Sequence, residues 1–239
     1  MIDALSERNV RIKLIDTTYE NIDEFMSQGE GEKPWEVFEL TQAQDVRKWC
    51  DNPDMIEGIK ENLQDLANHI PDAGKVSVLD VGCYGGYLYD YLSKKLNEIS
   101  YTGIDVNEDV ISTTKKIHAG KDNANFIVGD ILNLPDELKP NSFNVVCCHR
   151  VTIHLPYFEQ ILLNLLYLTK DIVHVILLLG VNDFCEKILE TNLVTGKGVF
   201  YYRRYISRNT IAKILKQWPV NYHIQTNSES RYASLFIYK

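Results

Sequence analysis

Residues 76–86 read Val-Ser-Val-Leu-Asp-Val-Gly-Cys-Tyr-Gly-Gly, and this stretch decides the fold. The apolar run around Asp80 predicts a short strand, and Gly82, Gly85 and Gly86 predict the tight turn that follows it. A helical pattern begins directly after the turn. The unit is therefore a strand, a turn and a helix, and a glycine turn in that place lets a ligand approach the backbone closely.

Two further acids follow the next predicted strands along the chain. Asp105 closes the strand Tyr-Thr-Gly-Ile-Asp, and Asp130 follows the strand in Phe-Ile-Val-Gly-Asp. A carboxylate at Asp105 can accept from both hydroxyls of a ribose, and one at Asp130 can accept from an exocyclic amine. Each acid alone is equally well explained as a helix cap or a surface carboxylate. Because three successive strand ends agree, Asp80, Asp105 and Asp130 together favour a nucleoside site.

Strands and helices alternate along the middle of the chain, which predicts right-handed crossovers, a mostly parallel sheet and helices on both faces. The predicted strands are 76–81, 100–105, 125–128, 143–148 and 172–179. The predicted helices are 53–70, 87–96, 107–118 and one that starts near Pro156.

The pattern changes at the C-terminal end. Ser207 is expected to cap a helix that runs through Trp218, and 220–225 and 232–238 then alternate like two strands. A short polar loop joins these strands, so they must be antiparallel. The predicted fold is α/β, a Rossmann-like doubly wound sheet of seven mostly parallel strands with an antiparallel C-terminal hairpin and an N-terminal helical arm.

The chain of 239 residues is long enough for one α/β domain with an appendage. We expect residues 1–52 to form an N-terminal arm or lid and residues 53–239 to form the domain. The longest apolar stretch, 161–180, is interrupted by polar residues and is not expected to span a membrane. The first residues lack a basic segment followed by an apolar one, so no signal peptide is expected.

The five cysteines include a vicinal pair and no Cys-x-x-Cys motif, which argues against a disulfide framework and against a zinc or other metal site. A reducing, cytoplasmic location is therefore expected. Cys147 and Cys148 lie in an apolar strand and are expected to be small core residues.

The net charge of −8 argues against general nucleic-acid binding. The charge is uneven, because no acid occurs between Glu190 and Glu229, whereas the first 65 residues are rich in acids. The basic stretch contains Lys197, Arg203, Arg204, Arg208, Lys213 and Lys216. It is explained either by a solvated face or by a basic wall that faces an anionic substrate group or the acidic arm.

Other nucleotide-binding motifs fit the turn poorly. A dinucleotide site whose first glycine is Gly82 would need glycine at positions 84 and 87, where this chain has Tyr84 and Tyr87. Asp80 would also repel a pyrophosphate. A P-loop is excluded, because no Gly-Lys-Ser/Thr follows the turn.

The chain resembles the class I methyltransferases that use S-adenosylmethionine. Val-Leu-Asp-Val-Gly-Cys-Tyr-Gly-Gly matches the family's first motif, Gly-Ile-Asp-Val-Asn the second and Gly-Asp-Ile-Leu-Asn-Leu-Pro the third. Phe-Asn-Val-Val-Cys-Cys-His-Arg-Val-Thr-Ile-His-Leu corresponds to the fourth. The resemblance covers about residues 55–239. One departure is Tyr84, where the family usually has glycine, and a side chain there would crowd the methionine moiety unless it stacks beside the ligand or swings away.

The resemblance implies a role for each motif. The methionine part and its ammonium would be held by Asp80 and by the turn residues Gly82, Cys83, Tyr84, Gly85 and Gly86. Asp105, with Val106 beside it, would bind the ribose, and Asp130 with Ile131 would bind the adenine. S-adenosylhomocysteine would be the product left in the site.

Two histidines of the fourth motif are the candidates for catalysis. His149 would line the space near the sulfonium, and His154 lies where small-molecule enzymes of the family often have a histidine. A hydroxyl acceptor must lose its proton, and a histidine is suited to remove it. The alternative for both is a hydrogen-bonded structural histidine at the edge of the sheet.

The resemblance places the acceptor pocket between the N-terminal segment and the insertion at 181–206. Tyr201, Tyr202 and Arg203 in this insertion could clamp a planar or anionic acceptor by stacking and charge-assisted hydrogen bonds. The alternative is a hairpin that only covers the core. In the arm, Trp35 and Phe38 are read either as a hydrophobic lid or as an N-terminal staple.

Three functions remain in view. The first is methyl transfer to an oxygen or nitrogen of a small-molecule acceptor by a monomer or homodimer. The second is methylation of tRNA or protein, for which the basic stretch is the only support; the fourth motif has no Asn-Pro-Pro-Tyr-type sequence, which would indicate methylation of base nitrogens. The third is a non-catalytic member that binds the cofactor or a partner, which Tyr84 keeps open.

Overall fold

The computed structural model describes residues 10–27, 53–71, 74–192, 198–226 and 232–239. Strands and helices alternate along the middle of this chain, as the sequence predicts. The strands are β1 (Val10–Thr18), β2 (Lys75–Val81), β3 (Glu98–Asp105), β4 (Ala124–Val128), β5 (Phe143–His149), β6 (Thr169–Gly180), β7 (Phe184–Asn192), β8 (Gly198–Ser207), β9 (Asn221–Thr226) and β10 (Tyr232–Tyr238). The helices are α1 (Ile22–Ser27), α2 (Pro53–His69), α3 (Tyr87–Leu92), α4 (Glu108–Ile117), α5 (Phe158–Leu168) and α6 (Arg208–Leu215).

Seven of the described strands form the predicted central sheet, in the order β4-β3-β2-β5-β6-β10-β9. The strands from β4 to β6 are parallel to their neighbours, β10 runs antiparallel to β6, and β9 runs antiparallel to β10. The prediction of a mostly parallel sheet with an antiparallel C-terminal hairpin is therefore confirmed. The strand order switches between β2 and β5, and open α/β sheets bind their ligands at such a point.

Helices cover both faces of the sheet, because successive residues of a strand point to opposite faces. On one face, Leu79 and Val81 of β2 pack in a core with α5 and α6. On the other face, Val78 packs with α2 and α3. None of the described helices is both long enough and apolar enough to cross a bilayer.

The cysteines of the described residues are all free and buried. Cys147 and Cys148 are neighbours on β5 and belong to the cores on opposite faces of the sheet, as expected of small core residues. Cys83 lies in the turn after β2, and Cys185 lies on β7. Cys50 falls outside the described residues.

The insertion at 181–206 is a β-hairpin attached to the main sheet. β7 pairs antiparallel with β8 along most of its length. The end of β8 then pairs parallel with the end of β6, through Leu179 with Ile206 and Gly180 with Ser207. This contact fixes the hairpin at the carboxyl end of β6, which is the edge where the site is predicted.

In the described part of the N-terminal arm, residues 10–27, the structure differs from the predicted helical arm. Only the short α1 is helical among residues 10–27; Val10–Thr18 form β1, which pairs antiparallel with β7. The signal for a strand is present in the sequence, because Val10, Ile12 and Leu14 alternate with polar residues. Trp35 and Phe38, the proposed lid residues, lie outside the described residues.

An ion pair holds α1 against the hairpin. The Asp23 carboxylate on α1 accepts from Arg204 on β8 at 2.5 Å and from the backbone N–H of Tyr157 at 2.8 Å. The Arg204 side chain is 8% exposed, whereas that of Asp23 is 44% exposed. A small apolar cluster of Met26, Cys185 and Tyr202 lies beside this pair. One cation of the basic stretch therefore faces the acidic arm, which is one of the alternatives drawn from the charge pattern.

This geometry predicts that Asp23→Asn destabilises the docking of α1. The variant removes the charge that compensates a buried guanidinium, and we expect a loss of about 1 to 3 kcal/mol in the free energy of unfolding. Urea denaturation measures the loss, and limited proteolysis shows whether the arm is cut faster. The matched control is Glu24→Gln, which removes an exposed charge from the same helix. Equal stability of the two variants would contradict the assignment.

Candidate active site

The predicted site residues meet at one edge of the sheet. Asp80 is the second-last residue of β2, Asp105 ends β3, and His149 ends β5. Asp130 follows the end of β4 by two residues. Because β2, β3, β4 and β5 are parallel, their carboxyl ends lie at the same edge, next to the switch in strand order. The roles of the individual residues remain predictions, which their surroundings refine as follows.

The glycine turn is shaped by the protein's own side chains. Gly82 and Gly86 have φ values of +70° and +79°, which favour glycine. A Cβ at Gly82 would collide with the side chain of Val151, and one at Gly86 would lie 2.7 Å from Nε2 of His118. The side of Gly82 that was expected to face a ligand is therefore packed against the segment that follows β5.

Tyr84 adopts the left-handed backbone conformation, with φ of +48°. Its N–H donates to Oδ2 of Asp105 at 3.1 Å, and its carbonyl accepts from the Thr114 hydroxyl at 2.9 Å. Its own hydroxyl oxygen is buried. These two bonds hold a non-glycine residue in a strained conformation, and the end of the side chain is directed into the protein.

The Cys83 side chain belongs to the core. It is fully buried, and a Cβ at Gly103 of β3 would lie 2.7 Å from its sulfur. Only the backbone of Cys83 lies on the turn, and its N–H and that of Gly82 both donate to the carbonyl of Ile104, at 2.9 and 2.8 Å. Direct contact between the Cys83 side chain and a cofactor would need this packing to open.

Asp105 connects the turn to the start of α4. Its Oδ2 accepts from Tyr84 N–H, and its Oδ1 accepts from Asn107 N–H at 3.0 Å. Burial raises the pKa of Asp105, while these backbone donors act in the opposite direction. A carboxylate offers about four acceptor positions, so these donors leave part of its capacity for ribose hydroxyls. Val106, the next residue, is 45% exposed and offers an apolar surface beside them.

Asp130 forms a local turn. Its Oδ1 accepts from Leu132 N–H at 2.8 Å, and its Oδ2 accepts from the Asn133 amide at 3.1 Å. Ile131 is buried, and its carbonyl accepts from Asn164 on α5 at 2.6 Å. Each oxygen of Asp130 keeps one acceptor position, whereas the Ile131 side chain is part of the core.

Asp80 lies beneath the edge of the sheet. Its side chain is buried, and its Oδ2 accepts from the Tyr101 hydroxyl at 2.6 Å. Burial, together with the charge of Asp105, raises the pKa of Asp80 to about 7, although the bond from Tyr101 opposes the shift. This acid is therefore placed to respond to a positive charge arriving above it, and its predicted contact with an ammonium stays a prediction.

His149 is a buried, neutral histidine. Its Nε2 lies 2.9 Å from Nδ1 of His174 on β6, and its Nδ1 lies 3.5 Å from the hydroxyl of Tyr87 at the start of α3. Burial lowers the pKa of His149 to about 3. His174 is not among the predicted site residues, although a lone histidine in the apolar run Ile-Val-His-Val-Ile-Leu is a detectable signal.

His154 lies in the segment between β5 and α5. Its Nδ1 is 2.7 Å from the backbone carbonyl of Tyr202, and a carbonyl can only accept. The proton of neutral His154 is therefore on Nδ1, and the lone pair is on Nε2. The ring also meets that of Tyr201 edge to face, with centroids 5.7 Å apart.

The hairpin separates the three predicted acceptor residues. Tyr201 and Arg203 point to one face of β8, where Arg203 donates to the Tyr201 hydroxyl at 3.2 Å and lies 3.8 Å from Glu186. Tyr202 points to the other face, because side chains alternate along a strand. There it meets Phe25 of α1, with ring centroids 5.4 Å apart. Tyr202 is thus placed to hold the arm.

Arg150 is a residue of this edge that the sequence analysis did not single out. It directly follows β5 and has φ of +62°, which is uncommon for a residue with a side chain. Its guanidinium lies 4.8 Å from the ring centroid of Tyr232 at the start of β10. A cation that lies against an aromatic ring therefore directly follows His149 in the chain.

The chain belongs to the S-adenosylmethionine-dependent methyltransferases of class I. Residues 72–230 match the family described as "Methyltransferase domain", which is more than half of the chain. The match includes six of the seven described strands of the central sheet, all except β10, and all four motifs quoted above.

Curated relatives match over shorter segments. The phthiotriol/phenolphthiotriol dimycocerosates methyltransferase of Mycobacterium tuberculosis is 38% identical over 38% of this chain and 33% of its own length. The ubiquinone biosynthesis O-methyltransferase of Rickettsia canadensis is 32% identical over 48% of this chain and 46% of its own. The chain thus spans a third to about half of the length of these relatives.

Solved structures support the fold. The CurJ carbon methyltransferase has a TM-score of 0.61 at 13% identity, covering 84% of this chain and 59% of that one. The magnesium protoporphyrin IX methyltransferase of Synechocystis, solved with S-adenosylmethionine, has a TM-score of 0.56 at 14% identity, covering 91% and 96%. The cofactor that the family implies fits the donor set found here: Asp105 keeps acceptor positions beside the exposed Val106.

The raised pKa of Asp80 predicts a pH dependence of stability. The folded protein keeps this proton up to about pH 7, whereas the unfolded chain releases it near pH 4. The free energy of unfolding therefore falls as the pH rises through this window, and the loss is complete above it. Asp80→Asn removes the titration and keeps an acceptor for Tyr101.

We expect the unfolding free energy of Asp80→Asn, relative to the wild type, to rise by on the order of 4 kcal/mol between pH 4 and pH 8. Urea denaturation at several pH values measures the difference. The control is Asp109→Asn, which changes an exposed carboxylate. If the free energies of unfolding of Asp80→Asn and the wild type differ by the same amount at every pH in this range, Asp80 is ionised in the folded protein across the range.

Proposed function

We propose that this protein transfers a methyl group from S-adenosylmethionine to an oxygen or nitrogen atom of a small-molecule acceptor. The observation that carries the proposal is the group of side chains at the end of β5. His149 is neutral, and Arg150 lies against the ring of Tyr232. A neutral polar residue followed directly by a cation that lies against an aromatic ring suits a small planar or anionic acceptor. The curated relatives, whose names refer to ubiquinone and to phthiotriol compounds, are in keeping with such an acceptor.

The chain's own residues are assigned to binding and alignment. When bound, S-adenosylmethionine supplies a methyl group on a sulfonium, which is already a good leaving group. Asp105 would hold the ribose through its remaining acceptor positions, and Val106 and Asp130 would contact the base. The buried turn and the hairpin at 181–206 would exclude water and align the acceptor atom.

Of the two histidines of the fourth motif, His154 is a better candidate for the general base than His149. Its bond to the Tyr202 carbonyl leaves the lone pair on Nε2, and a base must offer a lone pair. Its ring lies beside Tyr201, which belongs to the predicted acceptor group together with Arg203. Tyr202 would act indirectly, by orienting His154 through its backbone carbonyl.

Methylation of tRNA or protein is less well supported. Two cations of the basic stretch are matched by acids of this chain, Arg204 by Asp23 and Arg203 by Glu186. Pairing within the protein leaves less positive charge for a phosphate backbone. A cytoplasmic location accords with four free, buried cysteines among the described residues, and a monomer or a homodimer remains our expectation.

The cofactor site is tested by Asp105→Ala. The variant loses the two hydrogen bonds proposed for the ribose in a shielded site, and we expect affinity for S-adenosylhomocysteine to fall at least 30-fold. Isothermal titration calorimetry measures it. The control is Asp109→Ala, which removes an exposed carboxylate from the first turn of α4. Unchanged affinity in Asp105→Ala would show that the cofactor is bound elsewhere.

The base is tested by His154→Asn. The asparagine amide can still donate to the Tyr202 carbonyl, but it offers no imidazole lone pair. With a hydroxyl acceptor found in a panel of phenols, carboxylic acids and amines, we expect kcat to fall at least 100-fold. Affinity for S-adenosylhomocysteine should stay within about twofold.

Transfer of radiolabelled methyl groups measures the rate, and His223→Asn, on β9, is the control. Full activity of His154→Asn would exclude His154 as the base. Binding of S-adenosylhomocysteine without methyl transfer to any compound of the panel, to tRNA or to protein would favour the non-catalytic alternative, which Tyr84 first suggested.

A further inference from the structure

A line of buried polar side chains runs from α2 to the candidate active site. The Asn62 amide on α2 donates to the Ser234 hydroxyl on β10 at 2.8 Å. Ser234 Oγ lies 3.0 Å from Nε2 of His174, and Nδ1 of His174 lies 2.9 Å from Nε2 of His149. The other ring nitrogen of His149, Nδ1, lies 3.5 Å from the Tyr87 hydroxyl. Asn62, Ser234, His174 and His149 are all at most 5% exposed, so their bonds are made within the protein.

Both histidines of this line are neutral, which limits how the protons can be arranged. Burial lowers the pKa of His149 to about 3 and that of His174 well below its usual range. Each ring then has a single N–H, and one proton lies between Nε2 of His149 and Nδ1 of His174. Two arrangements remain, which differ in the direction of the hydrogen bonds that the two histidines make.

In the first arrangement the Ser234 hydroxyl and the N–H groups of both histidines each have an acceptor. Ser234 accepts from Asn62 and donates to Nε2 of His174, and Nδ1 of His174 donates to Nε2 of His149. His149 then carries its proton on Nδ1, facing the Tyr87 hydroxyl. In the second arrangement Ser234 accepts from both Asn62 and His174, and its hydroxyl hydrogen is left buried with no acceptor among the described residues. A buried unsatisfied donor costs about 1 to 3 kcal/mol, so the first arrangement is favoured.

The orientation of the Asn62 amide also favours the first arrangement. With the amide reversed, its oxygen would face Ser234, and both amide hydrogens would lie where Oδ1 now lies. Oδ1 has no hydrogen-bond partner among the described residues. Two buried amide hydrogens without acceptors are worse than one such oxygen. The ring of His174 is also fixed in place, because it stacks on Phe236 with centroids 4.4 Å apart.

We propose that Asn62, Ser234 and His174 are positioning residues that hold His149 with its proton on Nδ1. His149 then serves the site as a hydrogen-bond donor, to Tyr87 or to an oxygen of the acceptor, and does not serve as the general base. The role of His149 as a donor to the acceptor rests on the proposed function. The tautomer of His149 is a property of the protein alone. The two histidines of the fourth motif then have the same tautomer but use it differently. The Nε2 lone pair of His149 accepts from His174, whereas in His154 it is the Nδ1 proton that is bonded within the protein, to the Tyr202 carbonyl.

A metal ion is the main rival explanation of this cluster. Ligand atoms of Cys147, His149 and His174 lie within 4.8 Å of one another, and all three residues are buried. However, Nε2 of His149 and Nδ1 of His174 are 2.9 Å apart and share a hydrogen bond. Burial also raises the pKa of the Cys147 thiol well above its usual range, which opposes the thiolate that zinc requires. The hydrogen-bonded line accounts for both histidines without an ion.

The tautomer of His149 can be read directly. Long-range proton–nitrogen NMR spectra of the full-length protein with labelled histidine distinguish the two neutral forms at pH 7. Signals are assigned by comparison with His149→Gln and His174→Gln. We expect His149 to carry its proton on Nδ1, and finding it on Nε2 would overturn the proposal.

Two variants test whether the line of polar side chains sets the tautomer of His149. Ser234→Ala leaves each direction with an unsatisfied group, so we expect His149 to become a mixture of tautomers. Asn62→Asp, once ionised, can only accept and should reverse the line, placing the proton of His149 on Nε2. The control is Ser77→Ala, which loses a 2.7 Å bond to Asn144 at the other end of β2 and should leave the His149 signals unchanged.

The remaining outcomes are also decisive. If neither Ser234→Ala nor Asn62→Asp alters the tautomer of His149, the line does not set it. Stoichiometric zinc in the purified protein that is lost in His174→Gln would replace the line by a metal site. These results do not depend on methyl transfer. Loss of S-adenosylhomocysteine binding or of activity would bear on the proposed function alone.

Discussion

The carboxylate of Asp105 joins the parts of the site that must keep a fixed geometry. One oxygen holds the backbone of the glycine turn at Tyr84, and the other holds the start of α4 at Asn107. The turn follows β2 and the helix follows β3, so a single side chain aligns two neighbouring strand ends. Without this charge, the left-handed conformation of Tyr84 would lose one of its two supports. The same carboxylate keeps acceptor positions for a ligand, which links the folding of the edge to its use.

Two polar lines cross the apolar face of the sheet beneath that edge. One is the Tyr101–Asp80 pair, and the other runs from Asn62 to His149. Burial favours the neutral form of the titratable group in each line. It raises the pKa of Asp80 and lowers that of His149. Burial therefore lowers the charge of these two lines beneath the edge, and their polar groups act through the direction of their hydrogen bonds.

Much of this arrangement was predictable from sequence, since it depends on local signals. The parallel sheet follows from alternating strands and helices, and the meeting of Asp80, Asp105 and Asp130 follows from their place at strand ends. The separation of Tyr202 from Tyr201 also follows from strand alternation, once β8 is recognised as a strand. What sequence did not provide depends on contacts between distant segments. Val151 against Gly82 is one such contact, and the neighbours of His174 are others, because nothing in β6 indicates that Ser234 lies beside it.

The hairpin and the described part of the arm form a second layer at the edge of the sheet where the acceptor is proposed to bind. The two faces of β8 have different partners: Tyr202 and Arg204 meet α1, whereas Tyr201 and Arg203 are on the opposite face. The carbonyl of Tyr202 nevertheless sets the tautomer of His154. Docking of α1 is thereby connected, through one strand, to the nitrogen proposed as the base. The matched family segment begins only at residue 72, so α1 lies outside the part of the chain that the family shares. We therefore expect acceptor choice to depend on the arm, and nucleoside binding to depend on residues that the family segment contains.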